Sequence, residues 1–263
     1  MESKKRKRKR KGRRKLVMKV IVFDLDGTLL DNNNKIIGGE ETLSLLDEFK
    51  KSGYKIAICT GRLDHDIVAI NRKYDLGITE RISQNGAVIY QGDKVDATLL
   101  DKQAALEIYD LLTNYNVRVE MNTISNRYWT SPRDPDFPKE FYDSSIIKDE
   151  FKSIIPYQPV ILYLVVGEED YLKEIQKEIK ERFTQVEAIL TSRTSLEIVP
   201  LNISKGEAIH KMYPNDEVYA IGDSESDLAM MKYAHKFYYV KEEVEGAFYV
   251  ESILKALEDI KEA

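Results

Sequence analysis

The amino-acid sequence predicts an α/β fold in which a parallel sheet with helical crossovers is interrupted by an inserted α+β module. Short apolar segments rich in β-branched residues alternate with segments of helical periodicity near the start of the chain and again near its end, an order typical of parallel strands joined by helices. Between residues 87 and 198 this order gives way to strand-like runs with hairpin spacing and two helices. One sheet built from two separate parts of the chain is therefore expected.

The first part of the sheet is predicted over residues 16–86. Residues 17–24 and 55–59 are short apolar runs of the kind that form buried strands. Residues 40–52 have apolar side chains at helical spacing, and Gly53 follows as a helix stop. A second helix is predicted from apolar residues on one helix face, namely Leu63, Ile67, Ile70 and Tyr74.

The inserted module is predicted over residues 87–198. Val117, Val119 and Met121 alternate with polar residues, which is typical of a strand with one buried face. The proline-rich stretch 132–138 predicts a loop. The other strands and helices of the module are predicted over residues 87–90, 103–114, 128–129, 159–166, 172–183, 185–190 and 195–199.

The first pattern returns over residues 199–263 and completes the sheet. The final helix is predicted from a continuous apolar face, and the two strands before it are short and apolar. The elements of this part are predicted as helix 205–212, strand 217–223, helix 225–234, strand 237–240 and a last helix whose apolar face contains Val250, Ile253, Leu254, Leu257 and Ile260.

The composition excludes two broad classes of protein. Of the 263 residues, 43% are hydrophobic and 32% are charged, which is too apolar for a disordered chain and too polar for a membrane protein. The longest uncharged apolar run, residues 159–167, is about half the ~18–20 residues that span a bilayer. The single cysteine, Cys59, excludes an internal disulfide and suits a reducing compartment. A cytoplasmic location without membrane contact is therefore expected.

The charge distribution separates an N-terminal tail from the rest of the chain. Residues 1–15 contain 11 Lys or Arg and one Glu, whereas the other residues contain 29 basic and 44 acidic side chains. Because like charges repel, the tail is predicted to be disordered. It is either a solvated extension without a partner or an arm for nucleic acid or another polyanion, and in a eukaryotic host it would also suit nuclear import. The acidic remainder is a poor candidate for binding duplex DNA.

Two aspartates end the first predicted strand. Asp24 and Asp26 lie two residues apart, so on a strand both would face the same side; Gly27 lets the chain turn away, and Thr28 adds a hydroxyl. Ligands bind outside the carboxyl ends of strands in open α/β sheets. Two adjacent carboxylates repel each other and favour a hard divalent cation such as Mg²⁺. Converging carboxylates and a Mg²⁺ site are expected here; the alternative is a pair of solvated acids in a turn.

Polar residues also occur at three other strand or helix ends. Thr60 and Gly61 follow the second strand, where a hydroxyl and free amides suit a phosphoryl oxygen. Asp223 and Asp227 follow a later strand, and Lys205 opens a helix. Taken singly, these residues also have ordinary structural interpretations as helix caps, an acidic first helical turn and a surface lysine.

Together and in this order, these segments resemble the motifs of the haloacid dehalogenase-like (HAD) hydrolases, specifically their Cof-type phosphatase branch. The resemblance covers essentially residues 17–263 and implies a Rossmann-like core with an inserted α+β cap, here residues 87–198. Asn85-Gly86-Ala87 resembles the segment where the chain of that branch leaves its core. The four motifs are, in chain order, Asp24-x-Asp26-Gly27-Thr28, Thr60-Gly61-Arg62, Ser204-Lys205-Gly206 and Gly222-Asp223-x-x-x-Asp227.

The resemblance implies the chemistry of the aspartates. Asp24 would be the nucleophile that forms an aspartyl-phosphate, and Asp26 would be the general acid and then the general base. Mg²⁺ would be held by Asp24, the main-chain carbonyl of Asp26 and Asp223.

The resemblance also implies a set of residues around the phosphoryl group. Thr60, Gly61 and Lys205 would bind its oxygens, and Asp227 would orient Lys205 or a metal-bound water. Ser226 stands where this branch usually has Asn, so one polar contact near the metal is expected to be lost or replaced by water.

Substrate selection is expected to come from the cap, which would close over the aspartates. Tyr and Trp side chains in a cap often contact a sugar or a base, although packing within the cap is the favoured alternative for both. The specificity candidates are Arg62, Asn85, Arg127, Tyr128 and Trp129.

The sequence thus predicts a Mg²⁺-dependent phosphatase whose partner is a small phosphate monoester, a sugar phosphate or a similar metabolite. Three alternatives remain open at this stage: a sugar phosphomutase, a phosphatase of nucleic-acid ends that uses residues 1–15, and a catalytically decayed binding protein marked by Ser226. No oligomeric state is predicted.

Overall fold

A computed structural model describes residues 17–132 and 145–262. The predicted basic tail, residues 1–15, lies outside the described residues, and so does the predicted loop apart from Pro132. The described chain forms two sheets with flanking helices. Within these residues, no helix is long and apolar enough to cross a membrane.

The strands and helices alternate at the start and end of the chain, as the sequence predicts. The strands are β1 Lys19–Phe23, β2 Lys55–Cys59, β3 Glu80–Ser83, β4 Val88–Gln91, β5 Lys94–Ala97, β6 Arg118–Thr123, β7 Arg127–Trp129, β8 Ser145–Ile147, β9 Val160–Val166, β10 Val186–Ser192, β11 Ser195–Pro200, β12 Glu217–Gly222, β13 Lys236–Tyr239 and β14 Phe248–Tyr249. The α-helices are α1 Gly39–Lys51, α2 Asp64–Lys73, α3 Lys102–Leu112, α4 Glu169–Arg182, α5 Lys205–Met212, α6 Leu228–Met231 and α7 Ile253–Glu262.

The first sheet has the strand order β14-β13-β12-β1-β2-β3-β4-β5, and its first six strands pair in parallel. Successive residues of β1 enter two cores on opposite faces. Ile21 and Phe23 pack with α1, α2 and α7, whereas Val20 and Val22 pack with α5 and α6. A strand covered on both faces is apolar throughout, which is why β1 is recognisable in the sequence. The predicted α/β class is confirmed.

The second sheet has the order β10-β11-β9-β6-β7-β8 and is antiparallel except for the pairing of β7 with β8. Helices α3 and α4 cover one of its faces. Val119 and Met121 of β6 lie in the core beneath these helices, as their alternation predicts. The polar residues that alternate with them are Glu120 and Asn122, and these therefore occupy the opposite face. Among the described residues, α3 and α4 leave this face uncovered, and we call it the helix-free face of the second sheet.

The first sheet extends further along the chain than the sequence predicts. Strands β4 and β5 pair antiparallel at its edge, so residues 88–97 belong to this sheet, although the insert was expected to begin at residue 87. Gln84 and Asn85 make the reversal with positive φ angles of 51° and 54°. The tight turn returns the chain to the sheet edge before it enters the second sheet. Hydrophobic pattern alone does not assign two short hairpin strands to one sheet or the other.

The two sheets meet beside this turn. Ala87 and Val88 share an apolar cluster with Leu162 of β9 and Val199 of β11. In addition, the side-chain nitrogen of Gln84 donates to the carbonyl oxygen at the end of β6, at 3.1 Å. The helix-free face of the second sheet is thereby directed toward the loops of the first.

Candidate active site

Strands β1, β2 and β12 are neighbours in the first sheet, and their carboxyl ends carry polar side chains. The main-chain nitrogen of Asp24 donates to the carbonyl oxygen of Ile221 at 3.1 Å, which extends the pairing one residue beyond β1. Asp24 is only 4% exposed. A carboxylate buried to this degree needs hydrogen-bond donors or a cation nearby.

Lys205 supplies one such cation. Its Nζ donates to Asp24 Oδ1 at 2.9 Å and to Asp227 Oδ1 at 2.6 Å. Lys205 is the first residue of α5, and the Ser204 side chain caps that helix by accepting from the nitrogen of Glu207 at 3.0 Å. Lys205 is 2% exposed, so its interpretation as a surface lysine is excluded.

Asp227 is fixed by hydrogen bonds from its own loop, and it connects that loop to Lys205. Its Oδ2 accepts from the main-chain nitrogens of Asp223 and Ser224, at 3.1 and 2.9 Å, and from the Ser224 hydroxyl at 2.6 Å. Its Oδ1 accepts from Lys205. Both carboxylate oxygens are engaged, so Asp227 orients Lys205 and fixes the end of β12 at once.

Asp223 adds a third carboxylate. Its Oδ1 accepts from the Thr28 hydroxyl at 2.8 Å, and carboxylate oxygens of Asp24, Asp223 and Asp227 lie within 4.8 Å of one another. Gly27 permits this approach: its φ is 80°, and a Cβ there would lie 2.1 Å from Asp223 Oδ2. Glycine is required at this position both for backbone conformation and for space.

Burial opposes the ionised carboxylates. It raises the pKa of Asp24 to about 7, although Lys205 opposes this rise; the charge of Asp227 adds to it. Burial also raises the pKa of Asp223 above its ordinary value. Burial lowers the pKa of Lys205, but Asp24 and Asp227 outweigh this effect and hold that pKa above its ordinary value. The ammonium group therefore remains charged.

The donor set fits a hard divalent cation. The cluster contains three carboxylates, and one ammonium group pairs with two of them, so the ionised cluster keeps excess negative charge. Carboxylate oxygens are the ligands that Mg²⁺ prefers, and a cation here would favour the ionised forms that burial disfavours. Because both oxygens of Asp227 are engaged, Asp24 and Asp223 are the carboxylates that would hold it.

The sequence predicts that Asp26 converges with Asp24, but the Asp26 carboxylate is not one of the three that form the cluster. Its side chain is 55% exposed, and its carboxylate accepts two hydrogen bonds from Arg62, one of them from Nε to Oδ2 at 2.8 Å. Arg62 Nη2 also donates to Asn34 Oδ1 at 2.8 Å. The expectation assumed strand alternation, but β1 ends at Phe23. The two-residue spacing therefore no longer sets the direction of the Asp26 side chain.

Thr60 and Gly61 lie at the end of β2, the neighbour of β1. The buried Thr60 hydroxyl accepts from the main-chain nitrogen of Arg62 at 3.3 Å, and its carbonyl accepts from the nitrogen of Asn85 at 3.0 Å. The Asn85 side chain packs over Gly61, since its Oδ1 would lie 3.1 Å from a Cβ there. These contacts hold the Thr-Gly-Arg segment at the same edge of the sheet as Asp24.

Ser226 is exposed and contacts the carboxylate cluster only indirectly. Its hydroxyl lies 2.8 Å from the Ser224 hydroxyl, which in turn donates to Asp227. Ser226 thus contacts Asp227 only indirectly, through Ser224.

The specificity candidates of the second sheet occupy different environments. Tyr128 packs in the core beneath α3 and α4, so it does not line the space between the two sheets. Trp129 is buried, and the Arg118 guanidinium carbon lies 3.6 Å from its ring centroid. Arg127 links the second sheet to α2: its Nε lies 3.2 Å from Glu120 and its Nη2 lies 3.8 Å from Asp66.

Three polar residues near the site were not predicted from the sequence. Asn34 holds Arg62 from a loop that carries no recognisable pattern. Gln84 precedes Asn85 in the turn between the sheets, and its position next to Asn-Gly was the available signal. Asn122 is a polar residue on an alternating strand, which ordinarily indicates only a solvated face.

This fold and this arrangement of residues define a class of enzyme, the haloacid dehalogenase-like hydrolases. Residues 21–247 match the family model of the haloacid dehalogenase-like hydrolases, so the chain belongs to this family. Its assignment to the Cof-type branch and its classification as a phosphatase are confirmed.

Known proteins match nearly the whole chain. YwtE of Bacillus subtilis, named a 5-amino-6-(5-phospho-D-ribitylamino)uracil phosphatase, is 28% identical, and the match covers 82% of this chain and 85% of YwtE. A solved haloacid dehalogenase-like hydrolase from Bacteroides thetaiotaomicron has a TM-score of 0.80 at 22% identity and covers 92% of this chain and 99% of its own. The subclass IIB sugar phosphatase BT4131 has a TM-score of 0.74 at 20% identity, with 93% and 99% covered.

Proposed function

We propose that this phosphatase is Mg²⁺-dependent and hydrolyses small phosphate monoesters, a sugar phosphate or a similar metabolite, through an aspartyl-phosphate on Asp24. The observation that carries the proposal is the Lys205 ammonium group held between Asp24 and Asp227 at the strand ends. A phosphate dianion repels an anionic nucleophile, so a buried cation beside that nucleophile lowers the barrier. The substrate class is supported by the names of YwtE and BT4131, which refer to a ribityl phosphate ester and to sugar phosphates.

The first half-reaction would transfer the phosphoryl group to the enzyme. A carboxylate oxygen of Asp24 attacks phosphorus, and the bond between phosphorus and the ester oxygen breaks. The electron pair of that bond stays on the leaving oxygen, which takes a proton from the Asp26 carboxyl group. The alcohol departs and the phosphoryl group remains bonded to Asp24. Thr60, Gly61 and Lys205 would bind its oxygens during the transfer.

The second half-reaction would return the enzyme to its starting state. The Asp26 carboxylate takes a proton from a water molecule as that water attacks phosphorus, and the bond to the Asp24 oxygen breaks. Inorganic phosphate leaves and Asp24 is again a carboxylate. The two steps together convert one ester and one water into an alcohol and phosphate.

Arg62 would orient the ionised Asp26 carboxylate, which is the form that takes a proton in the second half-reaction. Its two hydrogen bonds to the Asp26 carboxylate and its contact with Asn34 limit the directions that this exposed side chain takes. Holding a base within reach of the attacking water accelerates proton transfer by removing orientational freedom. Asp26 thus depends on Arg62 in the way that Lys205 depends on Asp227.

Asp24 and Asp223 would hold Mg²⁺, together with the main-chain carbonyl of Asp26. A bound Mg²⁺ would offset negative charge on the nucleophile and on the phosphoryl oxygens. The Thr28 hydroxyl keeps Asp223 oriented toward this place. The close approach at Gly27 keeps the Asp223 carboxylate near the first strand end.

The proposal is tested by phosphate release from a panel of metabolite phosphate esters, with Mg²⁺ and with EDTA. Asp24→Asn is expected to lower kcat by at least about 1,000-fold, because an amide is not a nucleophile toward phosphorus. Asp47→Asn, a change at an exposed surface ion pair of α1, is the matched control and should retain activity. The proposal would be overturned if EDTA did not reduce phosphate release by the wild-type protein, or if Asp24→Asn released phosphate as fast as wild type. An isomerised sugar phosphate without free phosphate would instead identify a phosphomutase.

A further inference from the structure

Buried polar atoms without hydrogen-bond partners gather between the strand ends of the first sheet and the helix-free face of the second. Gln84 Oε1, Asn122 Oδ1 and Arg62 Nη1 are three such atoms. A buried polar group left without a partner loses its hydrogen bonds to water and gains none in return, so the occurrence of several in one region of a folded protein needs an explanation. A ligand that supplies the missing partners is one.

Gln84 is held in place at some conformational cost. Its φ of 51° lies in the left-handed region, which an unbranched polar residue adopts infrequently. Its side-chain Nε2 donates to the carbonyl of Thr123 at 3.1 Å, and its main-chain nitrogen donates to the carbonyl of Arg62 at 3.0 Å. A flipped side-chain amide would place Oε1 against the carbonyl oxygen of Thr123, and two acceptors repel each other. The amide orientation is therefore fixed, and Oε1 remains as an acceptor without a partner. Gln84 is 1% exposed.

Asn122 faces the same space from the second sheet. Its neighbour Met121 enters the core beneath the helices, so the Asn122 side chain lies on the opposite face. Its cross-strand partner on β9 is Leu162, which packs against Ala87 and Val88 immediately after the Gln84 turn. The two amide oxygens, one from each sheet, therefore border the junction between the sheets.

Arg62 connects this junction to the catalytic centre. Two of its nitrogens engage Asp26, and its Nη2 also engages Asn34, while Nη1 has no hydrogen-bond partner. Asp26 is the residue proposed to protonate the leaving oxygen. Arg62 thus links the two sides: its carbonyl oxygen accepts from the main-chain nitrogen of Gln84, and its guanidinium group holds the residue that would protonate the leaving alcohol.

We propose that Gln84 and Asn122 form a subsite that binds hydroxyl groups of the leaving alcohol, which makes the enzyme selective for phosphate esters of polyols and sugars. The inference rests on the proposed function, since it concerns the leaving group of the same reaction. A hydroxyl donates to an amide oxygen and also accepts from Arg62 Nη1, so a polyol satisfies all three atoms, whereas an alkyl chain satisfies none. A site built to hydrogen-bond a hydroxyl rejects the analogue without it far more strongly than an apolar pocket does.

The test compares two esters that differ only in hydroxyl groups, D-ribitol 5-phosphate and n-pentyl phosphate. The wild-type protein is expected to prefer the ribitol ester by about 100-fold or more in kcat/KM. Asn122→Leu and Gln84→Met each remove an amide at nearly constant size and should reduce this preference at least about tenfold, through a higher KM for the ribitol ester. Methionine is unbranched like glutamine, so the left-handed backbone at residue 84 is no more strained.

Two controls separate recognition from structure. Asn114→Leu changes an exposed asparagine after α3 and should leave the preference unchanged. Asn122→Asp keeps an acceptor oxygen and should restore most of the preference that Asn122→Leu loses. Because Asn122 Oδ1 has no partner to lose, Asn122→Leu should unfold thermally at or above the wild-type temperature.

The outcomes distinguish this inference from the proposed function. A wild-type preference near one, or a preference that survives both amide substitutions, overturns the subsite and leaves the phosphatase proposal standing if Asp24→Asn still abolishes phosphate release. A lower unfolding temperature of Asn122→Leu with an unchanged preference also overturns it, because Asn122 would then be structural. If neither ester is hydrolysed while other panel esters are, the subsite alone fails. Absence of release from every ester overturns both.

Discussion

At the residue scale, the candidate site depends on groups that ordinary packing would keep apart. Three carboxylates lie within 4.8 Å of one another around one lysine, and Gly27 lies so close to Asp223 that no side chain fits between them. Such an arrangement is stable only where each group is held by several contacts, which the loop around Asp227 provides. The residue types were identifiable from the sequence, because a hydrophobic strand rarely ends in Asp-x-Asp-Gly-Thr by chance. The distances between these side chains could not be predicted from the sequence.

Gly27→Ala tests whether the approach of Asp223 to the first strand end matters for metal binding. The new Cβ would meet Asp223 Oδ2 at 2.1 Å, so the carboxylate must move. The Mg²⁺ concentration for half-maximal activity is expected to rise at least about tenfold, which corresponds to roughly 1.4 kcal/mol. Gly92→Ala is the matched control: it also has a positive φ, but open space surrounds its Cβ. It should cost about 1–2 kcal/mol of stability through backbone strain alone, with unaltered Mg²⁺ dependence. Equal Mg²⁺ dependence in both variants would contradict the argument.

At the element scale, helix α5 delivers Lys205 to the strand ends. The sequence predicts this helix over 205–212, and the structure has the same bounds, because a serine cap and an apolar face both favour one helix there. Helix 225–234 was predicted less well. The structure has a single 3₁₀ turn at Glu225–Asp227 and a short α6, since Asp227 uses its carboxylate to bind Lys205 and its own loop. Local helix propensity does not predict a helix interruption that depends on a contact with a residue distant in sequence.

Ser204→Ala tests the delivery of Lys205. The Ser204 side chain caps α5, so its loss should cost about 1 kcal/mol of stability and should also lower kcat several-fold as Lys205 gains freedom. Asp101→Ala removes an equivalent cap from α3, where the Asp101 carboxylate accepts from two main-chain nitrogens. It should cost similar stability and leave kcat unchanged. The two variants are compared by urea unfolding and by phosphate release; a parallel loss of kcat in both would assign the effect to general loosening.

At the scale of the whole molecule, the site is assembled from distant parts of the chain. Asp24 and Lys205 are 181 residues apart in sequence and meet because β1, β2 and β12 are neighbours in one sheet. The order of motifs and the alternation of strands and helices made that meeting predictable. The junction between the sheets was not predictable in the same way. Gln84 and Asn122 are ordinary polar residues in the sequence, and only the folded chain reveals that their oxygens are buried without partners.

The excess negative charge of the buried cluster should also govern how the stability of the metal-free protein depends on pH. The pKa of Asp24 is about 7 in the folded protein, against about 3.9 for an exposed aspartate. Between these values the folded state binds a proton that the unfolded state releases. The free energy of unfolding in EDTA should therefore fall as pH rises from about 4 to about 7, and then level off with respect to this group. A divalent cation that binds the ionised carboxylates in the folded state should reverse much of the loss at neutral pH.

Urea unfolding at pH 5 and pH 7.5, with EDTA and with Mg²⁺, measures this effect. In EDTA, wild type should lose more stability than Asp24→Asn between the two pH values, because the asparagine does not titrate. Asp47→Asn should behave like wild type. The ion pair with Lys51 lowers the pKa of exposed Asp47 in the folded protein, and an aspartate in the unfolded chain is also ionised above pH 5, so Asp47 takes up no proton in this range. Mg²⁺ should stabilise wild type at pH 7.5 more than it stabilises Asp24→Asn. Equal pH slopes in wild type and Asp24→Asn would mean that the nucleophile is not the buried acid that the geometry indicates, and that the stability cost of this cluster lies elsewhere.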